Sequence, residues 1–137
     1  MSLVVDSSVA LTWCFEDEHT PATLALLNQI TETGAIVPSL WPLEVLNSLA
    51  MAERRGRLDA KQRHQLAGFL RDLPVNLDSE TGNQAWTATA LLAERYRLTL
   101  YDAAYLELAQ RLDLPLATLD QEMRAAGSAL GVTLLGH

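Results

Sequence analysis

The chain of 137 residues contains a single cysteine, Cys14, and a single lysine, Lys61. One cysteine excludes an intrachain disulfide and a zinc site built from several thiolates. Phosphoacceptor domains and aspartate-nucleophile phosphatases also carry acids at strand ends, but they need a lysine after a later strand, and none follows Lys61. A glycine-rich phosphate loop and the GxSxG motif of serine hydrolases are absent as well. These absences leave the acidic side chains as the main candidates for catalytic chemistry.

No uninterrupted apolar run is long enough to cross a bilayer. The N-terminus lacks the positively charged segment of a signal peptide, and Asp6 interrupts its apolar residues. We therefore expect a cytoplasmic protein with no membrane partner. A hydrophobic content of 49% with 20% charged residues is typical of a globular chain, and the length predicts a single domain over residues 1–137.

Negative charge is in excess, since the formal net charge is −7 at pH 7. This excess argues against non-specific binding to nucleic acid. The basic residues are unevenly distributed, however, because five of the ten fall within residues 54–63. This cluster, which we call the basic window, predicts either a local cationic patch or an ordinary solvated helical hairpin. Its members are Arg54, Arg55, Arg57, Lys61 and Arg63.

Short apolar runs alternate with longer helical patterns along the chain, which indicates an α/β fold with a mostly parallel sheet. Five strands are predicted, at residues 3–5, 35–38, 75–77, 115–118 and 132–135. The predicted helices cover residues 7–15, 20–33, 39–55, 59–73, 83–96, 101–112 and 121–126. Ser39 is expected to cap the third helix, and Gly127 is expected to end the last one. Trp86 and Leu91 are expected on the apolar side of helix 83–96.

Four acidic residues stand where apolar segments meet polar ones. Asp6 ends the first apolar run and Asp120 follows the run at residues 116–119, so both lie at predicted strand ends. Asp102 opens the apolar helix 101–112, and Glu44 lies inside helix 39–55. Because ligands of an α/β sheet bind beyond the carboxyl ends of its strands, we expect these carboxylates to share a cleft. Converging carboxylates repel each other unless a cation lies among them, so the pattern predicts Mg²⁺ or Mn²⁺.

Each acid taken alone also has an ordinary structural explanation. Asp6 and Asp120 precede helices, where aspartate is a favoured N-cap. Asp102 follows Thr99 by three residues, which is the spacing of a capping box. Glu44 is harder to explain in this way, because its helical neighbours are mostly apolar.

Hydroxyl groups accompany the acids at both strand ends. Ser7 and Ser8 follow Asp6 directly, and Thr118 stands two residues before Asp120. Such hydroxyls could orient a carboxylate or a metal-bound water. The alternative for the two serines is simple capping of the adjacent helix.

Four stretches of the chain carry a family resemblance. They read VVDSSVAL at residues 4–11, VPSL followed by PLEV at 37–45, LTLYDAAYL at 98–106, and LATLD at 116–120. Each motif alone is weak, but in this order and spacing they resemble a PIN-domain ribonuclease of the VapC toxin type. The resemblance covers nearly the whole chain. It implies a three-layer α/β/α domain whose central, mostly parallel sheet has about five short strands.

The resemblance also implies a site and an activity. The metal-binding and catalytic acids of the family correspond to Asp6, Glu44, Asp102 and Asp120, with Ser8 and Thr118 as supporting hydroxyls. Such a protein would be an endoribonuclease that cleaves single-stranded RNA with Mg²⁺ or Mn²⁺ and leaves a 5′-phosphate and a 3′-hydroxyl. It would be the toxin of a toxin–antitoxin pair, inhibited by a VapB-like protein, and a homodimer. The basic window would then either bind the RNA backbone or remain an ordinary solvated helical hairpin.

Two alternatives remain open. One is a catalytically silent PIN-like module that only binds RNA or protein. A module of that kind has no need of a costly carboxylate cluster, so the four acids speak against it. The other is a metal-dependent phosphatase or a DNA nuclease that shares the same sheet.

Overall fold

The computed structural model describes residues 2–137, and their strands form one sheet in which every neighbouring pair is parallel. The strands are β1 (Val4–Val5), β2 (Ala35–Pro38), β3 (Val75–Asp78), β4 (Leu116–Ala117) and β5 (Leu134–Leu135). Their order across the sheet is β3-β2-β1-β4-β5. The predicted parallel sheet of five short strands is therefore confirmed.

Helices cover both faces of this sheet, which confirms the predicted three-layer α/β/α fold. The α-helices are α1 (Ser7–Thr12), α2 (Pro21–Thr33), α3 (Trp41–Arg54), α4 (Ala60–Asp72), α5 (Thr81–Gln84), α6 (Ala90–Tyr96), α7 (Leu100–Leu112) and α8 (Gln121–Ala129). Helix α7 packs on β1, β2 and β4 with α6 and α8 beside it, whereas α3 packs against α1 and α4. Among residues 2–137, no helix has the length and apolar character needed to cross a membrane.

The strand order places a topological switch between β1 and β4. From β1 the chain adds β2 and then β3 on one side, and it returns to place β4 and then β5 on the other side. Val5 is in register with Ala117, and the backbone N–H of Asp6 donates to the carbonyl of Ala117 at 2.9 Å. In α/β sheets, the crevice at such a switch point is where ligands bind. The residues that follow β1 and β4 therefore border the expected ligand site.

Helix α7 is the most deeply buried helix of the fold. Every residue from 103 to 109 is buried, including Tyr105 and Glu107. This burial explains why residues 103–109 are apolar on every side except at Glu107, whose charge is paired with Arg111. Because α7 lies on the central strands, the side chains of its first turns reach the carboxyl edge of β1.

Several helix ends differ from the sequence prediction, among them that of α1, which stops at Thr12 rather than at residue 15. Ser39 does not cap α3, because Leu40 occupies the N-cap position in a helical conformation and makes no side-chain capping bond. Gly127 does not end α8, which continues to Ala129. A side chain at Gly127 would meet Leu134, since a Cβ built there lies 2.9 Å from Leu134 Cδ2. This glycine therefore permits close packing of α8 on β5 rather than a helix stop.

The expected apolar side of helix 83–96 is wrong for two of its residues, whereas Ala93 on that side does pack against the core. Trp86 is 87% exposed and Leu91 is 66% exposed, whereas Thr89 and Leu92 are buried. The segment from Thr81 to Tyr96 is helical throughout, but residues 85–89 form a π-helical turn. A π-turn inserts an extra residue into the helical repeat, so a pattern read with 3.6 residues per turn assigns the wrong face beyond it.

Candidate active site

Asp6 stands at the carboxyl end of β1 with its side chain almost fully buried, at 4% exposure. It occupies the N-cap position of α1, but its carboxylate makes no capping bond, so the capping explanation is wrong for this residue. The carboxylate accepts hydrogen bonds from three hydroxyls instead. Ser7 donates to Oδ1 at 3.3 Å, and Ser8 and Thr118 each donate to Oδ2 at 2.8 Å. These bonds fix the orientation of a buried negative charge.

The same hydroxyls connect the ends of β1 and β4. The backbone N–H of Leu119 donates to Ser8 Oγ at 3.1 Å, and that of Asp120 donates to Thr118 Oγ1 at 3.1 Å. Thr118 is completely buried. Asp6 and the loop after β4 are therefore held together by a continuous hydrogen-bonded chain, which brings Asp120 to the same edge of the sheet.

Asp120 and Asp102 each lie at the start of a helix. Asp120 caps α8, because its Oδ1 accepts from the backbone N–H of Met123 at 2.9 Å. For α7 the capping side chain is Thr99, whose Oγ1 accepts from the backbone N–H of Asp102 at 3.1 Å. Capping therefore accounts for one oxygen of Asp120, whereas Asp102 is a half-buried acid in the first turn of a helix that another residue caps.

Glu44 approaches the site from α3. Its Oε1 accepts a hydrogen bond from the hydroxyl of Tyr105, at 2.5 Å, which joins α3 to α7. Burial raises the pKa of Glu44, the bond from Tyr105 opposes this rise, and the charges of Asp6 and Asp102 add to it. Glu44 is thus within electrostatic range of two of the other acids.

The pKa of Asp102 is also affected by the charges of the neighbouring acids. Burial raises its pKa, and the charges of Asp120 and Asp6 raise it further, with a smaller contribution from Glu122. The acids predicted from the sequence therefore act electrostatically on one another beside the switch point. We call Asp6, Glu44, Asp102 and Asp120 the acidic cluster.

The acidic cluster offers only oxygen ligands, which Mg²⁺ and Mn²⁺ prefer. A divalent cation would also relieve the repulsion between the carboxylates of the cluster. Within residues 2–137, however, no three acidic, histidine or cysteine side chains lie close enough to surround one ion. Hydroxyl groups hold Asp6, the start of α8 holds one oxygen of Asp120, and Tyr105 holds one oxygen of Glu44. The donor chemistry fits such an ion, and the role of these residues as ligands stays a prediction.

Replacing Asp102 with asparagine is expected to stabilise the metal-free protein. The raised pKa means that the folded state disfavours the charged form, so this penalty is present at neutral pH and is lost as the pH falls through the folded pKa. After allowance for solvent screening, we expect a gain on the order of 0.5–1 kcal/mol, or about 2–5 °C in Tm, at pH 8 with chelator.

Thermal unfolding monitored by circular dichroism checks this expectation. Glu94→Gln, which changes an exposed glutamate on α6, serves as the control and should leave the Tm within about 1 °C of the wild type. Added Mg²⁺ should raise the Tm of the wild type more than that of Asp102→Asn. A lower Tm for Asp102→Asn in chelator at pH 8 would show that the acids do not repel one another.

The basic window is partly neutralised in the structure. Arg57 binds Asp17 and Glu18 at 2.8 and 2.6 Å and lies over the ring of Phe15. Arg63 forms an ion pair with Glu53. The members of the window without an acidic partner among residues 2–137 are Arg54, Arg55 and Lys61, all of them exposed. The predicted cationic patch is therefore smaller than the sequence indicates.

Tyr105 was missed as a residue of the site. A tyrosine within an apolar helix usually finds a partner for its hydroxyl, and its spacing of three residues from Asp102 places both on one helix face. Those two signals together could have identified it. Burial raises the pKa of Tyr105, and the charge of Glu44 raises it further, so the phenol stays protonated and remains a donor.

The chain is similar in sequence and in structure to several known proteins. The PIN domain family matches residues 3–128. Ribonuclease VapC3 of Pyrobaculum aerophilum is 30% identical over 134 residues, which cover 95% of this chain and 98% of that protein. The crystal structure of PAE2754 from the same organism has a TM-score of 0.70 and 25% identity, with 98% of this chain and 92% of that chain covered. VapBC2 from Rickettsia felis, bound to a DNA fragment from their promoter, has a TM-score of 0.67 at 9% identity, with coverage of 98% and 97%.

Proposed function

This chain belongs to the PIN-domain family, and from that premise we propose that it is a metal-dependent endoribonuclease, the toxin of a VapBC-like toxin–antitoxin pair. The observation that carries the proposal is the acidic cluster at the switch point between β1 and β4. The name of the relative Ribonuclease VapC3 supports RNA as the substrate. A binding module would gain nothing from burying repelling carboxylates, so we favour an enzyme.

The acidic cluster would hold Mg²⁺ or Mn²⁺. When bound, such an ion would activate a water for attack on the phosphodiester and offset charge that develops on the phosphate. The chain's own residues would position this chemistry. Ser8 and Thr118 would keep Asp6 in one orientation, and α8 would hold one oxygen of Asp120. The expected products are a 5′-phosphate and a 3′-hydroxyl.

Charge would govern how the RNA binds. Without the ion, the acidic cluster would repel phosphates, so RNA binding and ion binding should support each other. Arg54, Arg55 and Lys61, which have no acidic partner among residues 2–137, would contact the RNA backbone, and the affinity for RNA should fall as salt is raised. Arg57 and Arg63 would contribute less, because acidic partners already occupy their guanidinium groups.

We also propose a VapB-like antitoxin as the inhibitor of this protein, a homodimer as its assembly, and the cytoplasm as its location. The fold similarity to VapBC2 of Rickettsia felis is consistent with the proposed antitoxin.

An apolar cavity of about 600 Å³ lies between α3, α4 and β3, and it would accept an apolar segment of the antitoxin. Leu46, which lines this cavity, and Leu43 on the same helix are both exposed.

The function is tested by incubating the purified chain, free of copurifying protein, with single-stranded RNA and with DNA of the same sequence. Each reaction contains Mg²⁺, Mn²⁺ or a chelator. We expect cleavage of RNA only, in the presence of either ion, with 5′-phosphate ends. Cleavage that persists in chelator would contradict the metal site, and cleavage of DNA would favour the DNA nuclease. Binding of RNA without cleavage under every condition would favour the silent module.

A further inference from the structure

The hydroxyl of Tyr105 is directed at the acidic cluster from within the core. Tyr105 is completely buried on α7, and its hydroxyl donates to Glu44 Oε1 on α3. A buried tyrosine hydroxyl usually finds a hydrogen-bond partner, and here the acceptor is a partly buried carboxylate. This bond links the two helices that carry Glu44 and Asp102.

The phenol also lies within electrostatic range of other members of the cluster. The charges of Asp6 and Asp102 act on it together with that of Glu44. A neutral donor bonded to Glu44 partly offsets the repulsion that this carboxylate experiences, because the hydroxyl hydrogen carries a partial positive charge. Tyr105 is therefore placed to stabilise the cluster without adding a charged group.

Glu44 depends on the hydrogen bond from Tyr105 more than Asp6 or Asp120 depends on any single bond. Asp6 is held by three hydroxyls and Asp120 by a helix end, whereas the hydrogen bond to Glu44 comes from Tyr105. Glutamate has a longer and more flexible side chain than aspartate, and repulsion from Asp6 and Asp102 favours rotamers that move the carboxylate toward solvent. The bond from Tyr105 opposes that movement, and it uses only Oε1.

We propose that Tyr105 is a positioning residue, which holds Glu44 beside Asp6 and Asp102 and leaves one carboxylate oxygen for a divalent cation. The inference rests on the proposed function, because it assumes that the acidic cluster binds metal. Partners that orient a metal ligand typically change metal affinity by 10–100-fold when they are lost. We therefore expect Tyr105→Phe to weaken Mn²⁺ binding by about 10-fold or more.

The test measures Mn²⁺ affinity by electron paramagnetic resonance without RNA, for the wild type, Tyr105→Phe, Glu44→Gln and the double variant. If Tyr105 acts through Glu44, Tyr105→Phe weakens binding in the wild type but has no further effect in the Glu44→Gln background. Tyr96→Phe on α6, which removes a hydroxyl without a bond to the cluster, is the matched control and should bind Mn²⁺ as the wild type does.

The measured affinities separate three alternatives. Equal Mn²⁺ affinity for the wild type and Tyr105→Phe, with only a lower Tm, would assign Tyr105 a purely structural role and overturn the inference alone. An equal loss in both backgrounds would show that Tyr105 acts independently of Glu44. A wild type that binds no Mn²⁺ would overturn the proposed metal-dependent function, and the inference with it.

Discussion

Asp6→Asn is expected to reduce RNA cleavage by about 10³-fold or more while leaving the fold intact. An ion bound by carboxylates contributes several kcal/mol to the stabilisation of the transition state, which corresponds to a factor of this order. The asparagine retains one oxygen that can accept the bonds from Ser8 and Thr118, so the ends of β1 and β4 should stay connected. The substitution therefore removes charge with little change in shape.

The measurement is kcat/KM for a labelled single-stranded RNA at saturating Mg²⁺. Asp72→Asn removes an exposed carboxylate at the end of α4 and is the matched control, with an expected change below about twofold. Circular dichroism and the Tm establish that Asp6→Asn is folded. A folded Asp6→Asn protein with wild-type activity would exclude Asp6 from the site.

Arg111→Met is expected to lower the free energy of unfolding by about 3–5 kcal/mol. The guanidinium of Arg111 binds Asp78 at 2.6 Å and Glu107 at 2.7 Å, and both carboxylates are buried. Methionine preserves much of the side-chain volume but leaves two buried negative charges without a counter-ion. This ion pair network joins the last turn of α7 to the edge strand β3, so its loss should also loosen the helix that carries Asp102.

Urea unfolding at pH 7 measures this loss, which corresponds to a fall in Tm of roughly 10–20 °C. Arg71→Met replaces an exposed arginine on α4 and should cost less than about 1 kcal/mol. Neutralising both acids in the variant, by Asp78→Asn and Glu107→Gln, should recover part of the loss, since no buried charge then remains unpaired. A single variant as stable as Arg71→Met would show that the network contributes nothing.

Elements with strong local signals were predicted correctly from the sequence. The start of α2 is fixed by Thr20, which accepts from the backbone N–H of Thr23 as a capping box, and by Pro21 at the first helical position. Its end is fixed by Gly34, whose φ of 79° suits glycine. Strand β2 likewise has the predicted bounds. The four motifs, read together, also identified the family, which the match over residues 3–128 confirms.

Other features depend on contacts between distant segments and could not be predicted. The basic window indicated a cationic patch, but Arg57 is paired with acids about 40 residues away in the sequence. No helix or strand had been predicted for the segment that carries those acids. The ion pair between Asp78 and Arg111 likewise joins residues far apart in the sequence and could not be predicted. The pair between Glu107 and Arg111 could be predicted, because a spacing of four residues places both on one helix face. The sequence likewise contains no clear signal for the π-turn at residues 85–89.

The placement of Asp6 and Asp120 at one edge of the sheet was predictable, but the detailed bonding of the acidic cluster was not. Parallel topology brings Asp6 and Asp120 to one edge, and this follows from their positions after apolar runs. Which oxygens are already bonded depends on side-chain rotamers and neighbours, and those are properties of the packed core. The hydroxyl of Thr118 illustrates this, since it joins Asp6 and Asp120 only because β1 and β4 are adjacent.

Anomalous diffraction from crystals grown with Mn²⁺ tests the shared cation site most directly. A bound ion should give an anomalous peak among the oxygens of Asp6, Glu44, Asp102 and Asp120, about 2.0–2.6 Å from those that bind it. Crystals of Asp6→Asn prepared in the same way should lack the peak. Mn²⁺ found only at other places on the protein, with full RNA cleavage retained, would contradict the account.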